Sequence, residues 1–462
     1  MSGAKTALGL PVDELSGITK NEREDARDPT KNMSRLLILA SKLGYQTRSF
    51  AEAAKRLGVD VVFASDRCHQ LEDPWADGAI AVRFEEPEEA ARHIVKQSFV
   101  RPVDGLIALG DRAPTTAAHT ARALGFPYHS PQSMENCRSK LRQREVLHDA
   151  GLPVPRFFSF RLDKRVDKIL PRVQFPCVVK PLRLAASQGV IRANSPEEFH
   201  TAVARIKDLL ESPEVKVTRE LELDRVLVER YIPGGEVAVE GLLTRGKLRI
   251  LGVFDKPDPL EGPYFEETIY VTPSRLPDEM YDRVLDCAER TVQALGLTHG
   301  PVHAEFRIND EGPWVLEAAP RPIGGLCSRA LRFGPERVYL EELLVRHALG
   351  MQGTDIDREE GASGVMMIPV PKSGVLEKVE GEKQARETRG IEDVRITARL
   401  HDLIAAWPEG ASYLGFLFAH GKSPDEVEAA LRLAHTQLKF EIAEPLPVQH
   451  PVTGTVQGAS RE

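Results

Sequence analysis

Glu305 and Glu317 lie in HAEFRINDEGPWVLEAAPR, residues 303–321, at a spacing that suits two carboxylates set face to face on a β-hairpin. With Asp310-Glu311-Gly312 as the loop, Asn309 pairs with Pro313, and the same register brings Glu305 opposite Glu317. Directly opposed residues have Cβ atoms roughly 5 Å apart, where like charges repel. A bound cation removes that repulsion. Hard divalent ions such as Mg²⁺ take one or two protein carboxylates and complete their shell with water and substrate phosphates. The hairpin therefore predicts a metal–phosphate site. Its competitor is a solvated hairpin edge with both glutamates in water, and the pair alone does not decide between them.

Three further segments shift the balance. In FPCVVKPLRLAASQGV, Lys180 ends a buried strand and precedes a loop of small residues, Ala185-Ala186-Ser187-Gln188-Gly189. A lysine so placed reaches phosphate oxygens, while loop amides and the Ser187 hydroxyl supply further donors. The loop is not a Walker A sequence, and a surface lysine before an ordinary turn is the alternative. In VLVERYIPGGEVAVEG, two apolar strands flank Pro233-Gly234-Gly235, with Glu229 and Glu236 on either side. A carboxylate such as Glu236 can accept both ribose hydroxyls, and the strand edge at Arg230, Tyr231 and Ile232 offers main-chain groups to an adenine edge; a hairpin with exposed glutamates fits equally well. In KPDPLEGPYFEETIYVTPSR, Glu266 or Glu267 could bind an ammonium group or act as a base, with Tyr264 and Phe265 shaping the pocket; an exposed acidic loop is the alternative. His299 and His303 have His-x-x-x-His spacing, but Gly300-Pro301 breaks helical geometry, so His303 is expected beside Glu305 rather than in a zinc pair.

Several elements must position these groups. At 462 residues the chain exceeds one typical core and divides into two or three domains. Hydrophobic residues at 42% and charged residues at 28% exclude a disordered or fibrous class. The 61 basic and 69 acidic side chains leave a formal charge of −8, so no nucleic-acid surface is expected, and the short basic run at 138–144 does not alter that. The five cysteines, Cys68, Cys137, Cys177, Cys287 and Cys327, form no Cys-x-x-Cys pair, which favours reduced thiols in a cytoplasmic protein over a zinc or redox centre. No signal-peptide core and no run near ~18 apolar residues occurs, so no membrane partner is expected.

Residues 1–32 are polar and without apolar periodicity, and are expected to form a disordered leader. From Met33, RLLILA, FAEAAKRLG and DVVFAS alternate strand, helix and strand, and DGLIALG with ARALGFP continues the rhythm of a doubly wound parallel-sheet domain over 33–130. SKLGYQT, after the first strand, lacks the Gly-x-Gly-x-x-Gly fingerprint of a dinucleotide site. A second domain spans 131–350. It opens with NCRSKLRQREVLHDAG, read as one basic amphipathic helix closing at Gly151. Strands follow over 175–180, 225–231, 237–243 and 248–254, with helices around 196–210, 278–295 and 335–349. A C-terminal α+β cap spans 361–445, its last helix announced by Ser423-Pro424-Asp425-Glu426, and 446–462 is a tail. The fold class is a multidomain mixture of α/β and α+β.

Taken in order, SKLRQREVLHDAGLPVPRF, CVVKPLRLAASQGV, VLVERYIPGGEVAVEG, DKPDP, HAEFRI and WVLEAAPRPIGG resemble the ATP-grasp superfamily over roughly residues 133–349. That resemblance implies an ATP-grasp fold using ATP and Mg²⁺, with Mn²⁺ as an alternative. By position it implies that Lys140 and Lys180 contact phosphate, that Ser187 to Val190, with Gly189, form a flexible glycine loop, and that Glu229, Arg230 and Ile232 lie on the adenine hinge. It further implies Glu236 as ribose ligand, Lys256 as another phosphate contact, and Glu305 with Glu317 as magnesium carboxylates. Relatives such as D-alanine–D-alanine ligase have asparagine two residues after the second carboxylate. Here that place is Ala319, which cannot ligate a metal, so water or a nucleotide oxygen fills the vacancy or one of two ions is held weakly. The pattern of Glu317, Ala319 and Arg321 is more similar to the bacterial L-amino acid ligase branch, in which the arginine faces the transferred phosphate. SGVLEKVEG and EGASYLGFLFAHG also resemble the cap of those ligases, which present a carboxylate to the substrate amine at the place of Glu266 and Glu267.

The implied activity joins a carboxylate to an amine through an acyl phosphate. Lys180 neutralises phosphate with Lys140 and Lys256, Arg321 and the Gly324-Gly325 amides stabilise charge at the acyl carbon, Glu267 or Glu266 serves the amine, and closure of the 185–189 loop excludes water. Two other readings remain open: a carboxylase or purine-pathway ligase on the same core, and a nucleotide-binding regulator without turnover. No Met-Lys-Met motif occurs, so a self-contained biotin enzyme is not expected. The expected partners are small-molecule amino acid, carboxylate and amine substrates, with a homodimer implied by the resemblance.

Overall fold

The structure, a computed structural model, describes residues 33–41, 44–66, 79–444, 448–449 and 456–457. The expected leader lies outside these residues, as does the expected tail apart from the pairing of Val448–Gln449 with Val456–Gln457. Among the described residues no helix is long and apolar enough to cross a membrane.

Three sheets organise the chain. The first is parallel, in the order Ala79–Ala81, Asp60–Ser65, Arg35–Ala40, Gly105–Leu109. Continuous apolar runs suit strands covered on both faces, and Leu36, Leu37, Ile38 and Leu39 are fully buried. The second is antiparallel, in the order Phe157–Arg161, Arg225–Arg230, Cys177–Pro181, Ile191–Ala193. It is backed by helix Pro196–Glu211, which buries Phe199, Ala202, Val203, Ile206 and Leu210 at helical spacing and starts where the Ser195 hydroxyl accepts the Glu198 amide at 3.3 Å.

The third sheet has eight antiparallel strands. Their order is Gly312–Ala319, Gly300–Asn309, Gly235–Thr244, Lys247–Lys256, Ile269–Thr272, Ala362–Ile368, Gly415–Gly421, Ile391–Ile396. Its last three strands come from the C-terminal block. The ladder between Ile269–Thr272 and Ala362–Ile368 therefore fuses that block to the central one by main-chain hydrogen bonds. The start signal at Ser423 operates as expected: its hydroxyl accepts the Glu426 amide at 3.3 Å ahead of helix Pro424–Gln437.

Three local expectations need correction. The hairpin does set Glu305 opposite Glu317, but by another route. Its loop is Asp310 and Glu311 alone, because Asn309 pairs with Gly312, and a bulge at Leu316 then adds the residue that restores the Glu305 pairing. The basic segment is not one helix: extended backbone at Ser139 (φ −101°, ψ 122°) separates Pro131–Arg138 from Lys140–Asp149, and Arg144 points inward with 1% exposure. Residues 335–349 begin as a short strand, Val338–Tyr339, paired with Arg332–Phe333, so the helix is confined to Leu340–Ala348.

A histidine cluster ties the first domain to the central sheet. His129 Nδ1 accepts the backbone amides of Thr298 and His299 at 3.0 and 3.3 Å. The His299 and His347 rings stack with centroids 4.3 Å apart, and His347 Nε2 lies 2.9 Å from the Thr244 hydroxyl. Burial, reinforced by the neighbouring rings, pushes His129 down to about 3 and His347 down to about 4. In the unfolded chain such rings titrate near 6.5, so the folded form binds fewer protons below that pH. The stabilisation from these neutral rings is complete above pH ~6.5 and is lost as pH falls towards 3–4. For His129 the loss reaches roughly 2 kcal/mol by pH 5. The unfolding midpoint is expected to drop between pH 7 and 5, and His129→Asn, which keeps an acceptor near the Nδ1 position, should flatten that drop in thermal scans across the range.

Candidate active site

The second and third sheets face each other across a cavity of about 100 Å³ whose lining includes Lys180, Ser187, Glu236, Glu305 and Glu317. On the wall from the second sheet, strand alternation turns Lys180 and Glu229 to the same side. Lys180 Nζ lies 2.6 Å from one Glu229 oxygen and Arg144 Nε 2.5 Å from the other. Glu229 is 3% exposed; burial alone would raise its carboxyl, but the guanidinium and the ammonium hold it below the usual range. Burial pushes Lys180 below its ordinary value, with Glu229 opposing. Glu229 thus orients Lys180, and Arg144, absent from the sequence-based candidates, completes the pair.

Lys140 opens its helix against the loop that follows Lys180. Its Nζ donates to the Leu184 carbonyl at 2.8 Å and stands 3.4 Å from Glu317 Oε1. In that loop Ala186 and Ser187 both have φ of 54° and Gly189 has φ of 70°. A Cβ at Gly189 would come within 2.9 Å of Pro181, so only glycine fits there. At the hinge, Tyr231 and Ile232 are buried and Arg230 is exposed. The Arg230 and Tyr231 amides already donate to Arg156 and Pro176 carbonyls at 2.9 and 3.0 Å.

On the wall from the third sheet, register does the positioning. Glu236 is paired with Lys256 on one side and Arg307 on the other, and Glu240 with His303. Lys256 Nζ is 2.6 Å from Glu236 and 3.4 Å from Glu305, and it also bonds Glu267. Arg307 Nε donates to the second Glu236 oxygen at 3.1 Å. Lys256 is thus enclosed by three carboxylates, which outweigh its burial and raise it well above its ordinary value. Glu267 is engaged by Lys256 and by the Tyr270 hydroxyl at 2.6 Å. Its neighbour Glu266 has a buried Oε1 without a partner among the described residues, and burial pushes it up to about 7.

His303 bridges two carboxylates, bonding Glu240 through Nδ1 and lying 3.1 Å from Glu305 through Nε2. Burial opposes its charge, but Glu240 and then Glu305 carry it up to about 9, so at neutral pH it donates from both nitrogens. Glu305 in turn is held well below its usual range, burial being overcome first by Lys256 and then by His303. Beyond Glu317, Arg321 Nε donates to Asp111 at 2.7 Å. Asp111 follows Gly105–Leu109 at the carboxyl end of the parallel sheet, where such sheets bind ligands.

The donor set suits a hard cation. Glu236, Glu267 and Glu305 offer carboxylate oxygens within 4.8 Å of one another, although Lys256 already occupies their centre, and Glu317 is the cross-strand partner of Glu305. Ala319 offers no ligand atom. Arg144, Glu240, Arg307 and Asp111 are the groups that sequence reasoning missed. The period-two run His303, Glu305, Arg307 signals that Arg307 shares the face of Glu305, and Glu236 with Glu240 repeats the pattern. Arg144 and Asp111 have no comparable local signal.

Residues 173–330 match the ATP-grasp domain family, residues 51–128 the ATP-grasp N-terminal domain, and residues 366–443 the L-amino acid ligase C-terminal domain 2. An uncharacterized protein, y4rH, of Sinorhizobium fredii is 25% identical over 89% of this chain and 84% of its own length. The alanine–anticapsin ligase of Bacillus subtilis is 24% identical over 60% of this chain and 62% of its own length. The crystal structure of the L-amino acid ligase from Bacillus licheniformis superposes with a TM-score of 0.74 and 27% identity, covering 89% of this chain and all (100%) of that one. Fold, domain order and C-terminal domain agree: the chain carries an ATP-grasp domain between an ATP-grasp N-terminal domain and an L-amino acid ligase C-terminal domain, and it is a carbon–nitrogen bond-forming ligase.

Proposed function

We propose that the chain uses ATP to activate a carboxylate, that of an L-amino acid, as an acyl phosphate and joins it to an amine, releasing ADP and phosphate. The observation that carries this reading is the convergence of Lys140 and Lys180 with Glu305 and Glu317 around one cavity, with Arg321 just beyond. The alanine–anticapsin and L-amino acid ligase relatives support the substrate class.

The Ile232 amide reads the adenine edge, since its two hinge neighbours are spent on backbone carbonyls. Glu236 receives the ribose hydroxyls on lone pairs not used by Lys256 and Arg307. Lys140 and Lys180 neutralise phosphate oxygens, and Ser187 with the Gly189 loop covers them. Lys256 acts as counter-ion to Glu236, Glu267 and Glu305 rather than as a free phosphate ligand. Glu305 and Glu317 would hold Mg²⁺, or Mn²⁺ in its place, which would draw charge off the phosphates. The substrate carboxylate attacks the γ-phosphorus and the bond to ADP breaks. An amine then attacks the acyl carbon and phosphate leaves, Arg321 stabilising the oxyanion. Glu266 or Glu267 accepts the amine proton: burial pushes Glu266 up to about 7 against the Val370 amide, whereas both oxygens of Glu267 are taken by Lys256 and Tyr270.

Amino-acid-dependent ADP release is expected to fall by at least about 100-fold in Lys180→Ala and in Glu317→Gln, the scale of losing a preorganised charge at the reacting phosphate. Release unchanged in either variant, measured with pooled L-amino acids and with new condensed masses followed by mass spectrometry, would refute the assignment. His303→Gln should raise the Mg²⁺ concentration for half-maximal release by about 10-fold, because it removes the group that orients Glu305. In the unaltered enzyme the His303 charge is present below pH ~9 and lost above it, so activity should decline through that value. A magnesium titration at pH 7.5 and a pH profile from 7 to 10 check both.

A further inference from the structure

The 185–189 loop is not held by its own domain alone. Trp407 Nε1 donates to the Ala186 carbonyl at 3.1 Å, the Gly189 amide donates to the Pro408 carbonyl at 2.9 Å, and the Gln188 side chain donates to the Glu409 carbonyl at 2.7 Å. The Glu409 carboxylate also grips Arg205 of the helix behind the second sheet, with one contact at 2.8 Å. All these partners come from one short segment of the C-terminal block. Residues with a Cβ at positive φ, such as Ala186 and Ser187, are strained and persist only where their surroundings over-determine them. Here the surroundings are supplied from more than 200 residues away, as the separation of 221 between Ala186 and Trp407 records. Trp407 is 7% exposed and packs against Tyr413 with ring centroids 4.9 Å apart and planes inclined by 35°. Burial, and then the charge of Glu267, raise the Tyr413 hydroxyl well above its ordinary value.

We propose that Trp407, Pro408 and Glu409 form a clasp that holds the 185–189 loop closed over the nucleotide, so that the C-terminal block must release the loop before ADP leaves. Trp407 and Glu409 are positioning residues: they act through Ala186, Gln188 and Gly189. The clasp rests on the reading of that loop as the phosphate cover. It extends that reading by giving the C-terminal block control over nucleotide exchange and over water access to the acyl phosphate.

The test uses the full chain with Trp407→Phe, which keeps the ring on Tyr413 but deletes the donor, and Glu409→Gln, which weakens the grip on Arg205. Two quantities are read: the dissociation rate of a fluorescent ADP analogue, and the ratio of ADP released to amide formed. Trp407→Phe should speed dissociation about fivefold, the scale of one lost neutral hydrogen bond, and raise the ratio above that of the unaltered chain as water intercepts the intermediate. Glu409→Gln should shift both in the same direction and keeps the test alive if the first variant does not fold. Dissociation rate and ratio both unchanged in the folded variants overturn the clasp. An unaltered chain that binds the ADP analogue yet forms no amide would sink the ligase reading instead, while the dissociation rate still judges the clasp.

Discussion

A charge taken out of water must find its opposite within a few ångströms, and that requirement shapes the interior of this protein. Glu229 is closed between Arg144 and Lys180, Glu236 between Lys256 and Arg307, and Glu240 against His303. Removing one partner of such a buried pair typically costs about 3–5 kcal/mol, because the other charge is stranded. The pairs therefore act as geometric pins. They hold Lys180 and Glu305 at set positions before any ligand arrives, which is the condition for electrostatic stabilisation without reorganisation during the reaction.

Sheet register is what makes the pairing economical. One strand, Gly300–Asn309, turns His303, Glu305 and Arg307 to a single face, and its neighbour Gly235–Thr244 turns Glu236 and Glu240 to meet them. Opposed positions then bring acid against base without long side-chain excursions. The same sheet continues into the C-terminal block, so main-chain hydrogen bonds connect that block to the strands that carry the carboxylates.

No single domain completes the site. Asp111 from the parallel sheet anchors Arg321, the second sheet supplies Lys180, the third supplies the carboxylates, and the C-terminal segment at 407–409 holds the loop. Any motion of one of these parts against another would have to break the contacts just named.

What the sequence determined by itself was local. A hairpin is short enough for the sequence to announce that Glu305 and Glu317 lie on facing strands, and a lysine at the end of an apolar strand announces Lys180 with its small-residue loop. The helix start announced at Ser423 follows from capping within one turn. Even there the bulge at Leu316 escaped, since a bulge is set by how the strand meets its neighbours rather than by its own composition. Only the tertiary structure decided that Arg144 neutralises Glu229 across 85 residues, that Asp111 receives Arg321 across 210, and that Trp407 reaches Ala186 across 221. Periodicity reports which face of an element is buried, while the partner of a buried charge is chosen by packing of the whole chain, and no local pattern encodes that choice.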